Sequence, residues 1–126
     1  MKEEIKMFLE KAKKFEENAK YNFENKNFDL AMFNLEQAIQ LLIKAKLLDI
    51  RGYYEKTHSL RKLLLELMEV WKKEELTKFI EENKKQLRDL ERAYITSRYF
   101  SEEFFEDEVK RCFDLLERLW GLLWKE

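Results

Sequence analysis

Proline is absent from this 126-residue chain, and glycine occurs only twice. Almost nothing therefore interrupts a helix, and an all-α fold is the expectation. Cysteine and histidine occur once each, as Cys112 and His58. An internal disulfide is excluded, and these two residues cannot make up the four protein ligands of a structural zinc site. Neither a metal nor any cofactor is expected. No apolar run approaches the ~18 residues of a membrane span. Met1-Lys-Glu-Glu opens on charge rather than on the apolar segment of a signal peptide. A cytoplasmic protein without membrane association is the expectation. Neither charge sign is in excess, since 25 Lys and Arg stand against 26 Asp and Glu for a net charge of −1. A protein that coats nucleic acid is normally far more basic, so only a local basic face is left open. A Gly-rich phosphate loop, a Ser nucleophile in a recognisable setting, internal repeats and linkers are all missing.

What the chain does have is charge laid over a regular apolar pattern. Charged residues make up 40% and hydrophobic residues 45%, against about 25% charged in an average domain. Dense Lys and Glu suit exposed helix faces and a thermophilic source. The length fits one domain over 1–126, burying roughly two thirds of its unfolded surface.

The organising stretch runs from Asn27 to His58. Ala31, Leu35, Ala38, Leu42 and Ala45 recur at steps of four and three, which is one face of an α-helix. Phe28, Met32, Ile39, Ile43 and Leu47 make a second stripe beside it. Two stripes predict a helix packed on more than one side, with the Ala positions allowing close neighbours. Before it, residues 3–24 place Ile5, Phe8, Ala12, Phe15, Ala19 and Phe23 on one face, and Asn25-Lys-Asn27 breaks the pattern. After it, Gly52 is suited to close the central helix, and Thr57 to cap a third helix bearing Leu60, Leu63, Leu64, Leu67, Met68 and Trp71. A short helix is expected near 72–82. A further stripe follows through Leu87, Leu90, Ala93 and Tyr94, then an interruption at Ile95 to Ser101. Ser101 is expected to cap a last helix carrying Phe105 to Leu123. The fold predicted is an antiparallel up-and-down bundle of four main helices plus a short fifth. Trp120, Leu122, Leu123 and Trp124 crowd the C-terminal end and suggest a surface for self-association.

Few residues offer chemistry. His58 is either a general acid or base, with an ordinary pKa near neutrality, or a helix-start histidine bonded to the preceding loop. Arg51 precedes it by six intervening residues and is able to offset charge on a phosphate. Tyr53 and Tyr54 present aromatic rings beside Arg51. Arg98, followed by Tyr99, is either an anion ligand or one half of an ion pair that pins its loop. Asn34 and Gln37 are polar residues on the central helix, as core hydrogen-bond partners or as the wall of a groove.

The run Asn27-Phe-Asp-Leu-Ala-Met-Phe-Asn-Leu-Glu-Gln-Ala-Ile-Gln-Leu-Leu-Ile-Lys-Ala, then Gly52 and Thr57-His58-Ser59-Leu60 with Leu63-Leu64, resembles the HEPN domain family. So does Tyr94 with Ser97-Arg98-Tyr99 ahead of a long last helix. The resemblance implies an all-α bundle, usually a homodimer, similar to the helical domain of certain nucleotidyltransferases. It also implies a role beside a minimal nucleotidyltransferase in a toxin–antitoxin pair, with nucleotide or RNA as the ligand. The resemblance further implies a family in which many members are metal-independent ribonucleases with an Arg-x(4–6)-His motif near the start of the last long helix. Here Arg98 is followed by no such His, whereas Arg51 and His58 meet the spacing ahead of the third helix. The leading expectation is a non-catalytic nucleotide-binding or partner-binding module, with Tyr53, Tyr54, Arg98 and Tyr99 as ligand contacts. The alternatives are a ribonuclease using His58 with Arg51 or Arg98, and a helical adaptor without a ligand.

Overall fold

A computed structural model describes residues 2–99 and 103–124, excluding the side chains of residues 97–99. Six helices follow one another and no strand occurs among the described residues: α1 (Glu3–Glu24), α2 (Phe28–Arg51), α3 (Leu60–Val70), α4 (Glu74–Glu82), α5 (Lys84–Tyr99) and α6 (Glu106–Trp124). The count exceeds the four-plus-one expectation because α3 and α4, at 11 and 9 residues, are both short. The four long helices are α1, α2, α5 and α6.

Both apolar stripes of α2 are buried, with Phe28 half-covered at its start. α2 touches α1, α3, α5 and α6, which is why it needs two stripes where its neighbours need one. Ala12 and Ala19 of α1 are fully buried and let that helix lie close along α2. The two run antiparallel, joined by a turn in which Lys26 takes a positive φ of 61°. Asn22 Nδ2 donates to Asn34 Oδ1 at 2.7 Å across this pair. Asn34 is thus a half-buried hydrogen-bond partner that ties α2 to α1. Tyr94 of α5 lies over Phe33, while Glu91 acts electrostatically on Glu36, so α5 runs antiparallel to α2.

α2 ends where Gly52 adopts φ 87° and donates its N–H to the Leu48 carbonyl at 2.9 Å. No atom lies within 4 Å of where a Cβ would stand at Gly52. Substitution there costs only backbone strain: Gly52→Ala is expected to lose about 1 kcal/mol of stability, read as a shift in the denaturation midpoint.

Three local expectations are corrected. Ser59, not Thr57, caps α3, its Oγ accepting the Lys62 N–H at 3.2 Å. His58 consequently precedes the helix instead of lying in its first turn. The break expected at Ile95 is displaced, because α5 continues to Tyr99; Thr96 satisfies its hydroxyl by donating to the Arg92 carbonyl at 2.9 Å. α6 begins at Glu106, with Glu106, Asp107 and Glu108 in its first turn, and Phe105 stands exposed before it. The expected Ser101 cap lies outside the described residues.

The C-terminal aromatics are engaged within the chain. Trp120 Nε1 donates to Glu16 of α1 at 3.1 Å, and Trp124 Nε1 to the Leu42 carbonyl at 3.2 Å. Lys46 Nζ lies 5.1 Å from the Trp71 ring and 4.9 Å from that of Trp124. Their crowding reflects the packing of α6 on α1 and α2. Cys112 is buried among apolar side chains, and burial pushes its thiol pKa up to about 12, which leaves it inert near neutrality.

Candidate functional site

The loop between α2 and α3 is held by one carboxylate. Arg51 donates from its guanidinium to Glu66 Oε1 on α3, and its Nε donates to the Tyr53 carbonyl at 3.2 Å. Glu66 also accepts the Glu55 N–H at 3.0 Å. The Arg51 and Glu66 side chains are only 17% and 10% exposed, so this is a largely desolvated pair. The guanidinium also packs 4.1 Å from the centre of the Tyr53 ring. Arg51 therefore clasps the end of α2 and the loop to α3, with its charge already neutralised.

His58 faces elsewhere. Its exposed ring stacks on Tyr94 at 4.9 Å with a 23° interplanar angle. Tyr94 in turn lies over Phe33 at 6.1 Å and 17°. Rings from the loop, α5 and α2 thus form a ladder with His58 at its outer end. No hydrogen bond or ion pair joins Arg51 to His58 among the described residues. Tyr53 is exposed, whereas Tyr54 is half-buried between Phe8, 6.0 Å away, and the Lys44 ammonium, 5.2 Å from its ring. Arg98 and Tyr99 close α5, and their side chains lie outside the described residues. Tyr94 reads in the sequence as one more member of an apolar stripe, and its place in the ladder depends on where the loop sets His58.

A second feature, on α2, is a buried carboxyl. Glu36 has no exposed surface, and its oxygens accept from Gln40 Nε2 at 2.6 Å and Gln37 Nε2 at 2.9 Å. Burial pushes its pKa up to about 7, opposed by the two amides and Lys44 and reinforced by Glu91 of α5. Lys44 is itself held below its ordinary value by burial. Gln37 thus serves, half-buried, as a hydrogen-bond partner of this carboxyl. Glu36 and Gln40 escape sequence reading, although a Glu set between Leu35 and Ala38 inside an apolar helix is the signal that points to it. No group of three or more His, Cys, Asp or Glu among the described residues is placed to hold a metal ion. No described helix is long and apolar enough to cross a membrane.

An all-helical chain built on a doubly packed second helix, with a Thr-His loop before the third, defines the class. Residues 5–126 match the HEPN domain family, and the chain belongs to it. No curated protein matches the chain.

Proposed function

We propose that this HEPN protein is a non-catalytic binding module, taking a nucleotide and pairing with a minimal nucleotidyltransferase in a cytoplasmic toxin–antitoxin type pair. The observation that carries this reading is the clasp of Arg51 on Glu66. An Arg that offsets charge on a phosphorane has to reach the phosphate, and this one is occupied by a carboxylate on α3. The His58 ring, stacked on Tyr94 and open on its other face, is suited to lie against a base rather than to share a proton with Arg51. A homodimer is part of the same proposal.

A ribonuclease reading keeps one observation in its favour, the exposure of the His58 ring. It would use His58 to move the 2′-OH or leaving-group proton, with Arg51 or Arg98 on the phosphate. The two readings separate when single-stranded RNA is incubated in chelator with wild type and His58→Ala. The expected result is no cleavage by either, together with calorimetric binding of a nucleotide, or of a co-expressed nucleotidyltransferase, by the wild type. Cleavage lost only in His58→Ala establishes the ribonuclease instead. Absence of cleavage and of both binding events leaves the adaptor reading.

A further inference from the structure

Glu36 is the only carboxyl without exposed surface among the described residues, and it stands on the side of α2 that α5 covers. Phe33, one turn before it, packs on Tyr94 of α5. Glu91, one turn before Tyr94 and half-buried, acts on Glu36 across the same seam. The Glu36 oxygens accept only the side-chain amides of Gln37 and Gln40, and no cation pairs with them among the described residues. Lys44, two turns further along α2, and Glu91 are the charged groups that act on it, in opposite directions.

The helix on the other side of this seam is lightly held. Leu87, Leu90 and Ala93 are the buried apolar residues of α5 among its described side chains. An element with few such contacts opens before the rest of a fold. Lys85 joins α5 to Glu108 of α6 at 3.6 Å, but through an exposed ammonium, where an ion pair contributes little. The opposite side of α2 offers a buried charge no relief, because α1 meets it across the fully buried Ala12 and Ala19.

We propose that Glu36 is a proton-operated latch on α5: protonated, it lets α5 lie closed on α2; ionised, it opens α5, and Tyr94 leaves both Phe33 and the His58 ring. A carboxylate at this position needs water. Separation of α5 admits water to Glu36 and carries the repelling Glu91 away with it. Burial raises the Glu36 pKa from 4.5 to about 7, so the closed form binds the proton more tightly than an open, hydrated form does. The open fraction therefore rises with pH between those values, by up to about tenfold per pH unit, and levels off above pH 7. Presentation of the His58 ring, and not only the stability of the chain, becomes dependent on pH. The latch acts on the ring whatever the ring binds, so its test needs no ligand.

Amide hydrogen exchange of the full chain, corrected for the intrinsic rate at each pH, is followed from pH 5 to 8 in wild type, Glu36→Gln and Glu91→Gln. In wild type the α5 amides through Tyr94 are expected to open more often than those of α1 at every pH. Their opening constant is expected to rise by more than about tenfold between pH 5 and pH 7 and then to level off. Glu36→Gln is expected to hold the low-pH value throughout. Glu91→Gln, which removes a repulsion, is expected to reach its plateau at a lower pH. A slope kept in Glu36→Gln overturns the latch and assigns the slope to another group, His58 foremost. One opening constant shared by α1 and α5 at every pH also overturns it, and leaves Glu36 as a contributor to stability alone. Protection lost near Leu87 but kept at Tyr94 overturns the link to His58.

Discussion

Glu36→Gln is expected to stabilise the protein by on the order of 3 kcal/mol at pH 8 and by almost nothing near pH 4. The cause is the inaccessible carboxyl, whose folded-state pKa burial raises from 4.5 to about 7. Between those values the native state binds the proton more tightly than the unfolded chain does. Stability therefore falls as pH rises through that window, and it levels off above pH 7 where both states are ionised. Gln cannot ionise and retains a side chain able to bond with Gln37 and Gln40. The charges facing the group are Lys44 on α2 and Glu91 on α5, and they act in opposite directions. Urea denaturation of wild type and variant at several pH values reads the effect directly. Parallel stability curves across pH 4–8 would refute the assignment of this slope to Glu36.

Arg51→Ala is expected to lose about 3 kcal/mol, the lower part of the range for breaking a desolvated ion pair. The loss arises less from the missing attraction than from Glu66, left nearly buried with only the Glu55 N–H and no counter-charge. Replacing both partners, as Arg51→Met/Glu66→Leu, is expected to recover most of the stability, because no charge is then stranded. A double variant as unstable as Arg51→Ala would show that the clasp acts through the loop backbone instead. The comparison also bears on function. Where Arg51 is a structural clasp, the stabilised double variant keeps its ligand binding; where it is a phosphate ligand, the double variant is stable and inactive.

Much of the fold was legible in the residues. The absence of proline and the two stripes on Phe28–Leu47 reflect local geometry, since a stripe at helical spacing needs no knowledge of its neighbours to be seen. The same is true of the turn at Gly52, where only the backbone decides. Boundaries were less legible. Ile95 and Thr96 look like breakers, yet the Thr96 hydroxyl bonds back to its own helix and α5 runs on.

The candidate site was legible only in part. Sequence alone picked out His58, Arg51, Tyr53 and Tyr54 as residues grouped around one loop, and the apolar helices that carry it. Which of them act together was decided by tertiary structure. Arg51 turns to a carboxylate fifteen positions away in sequence, and His58 stacks on a tyrosine from another helix. Periodicity specifies which face of a helix is buried. It carries no information about which neighbour that face meets, and the pairing of charges depends on the neighbour.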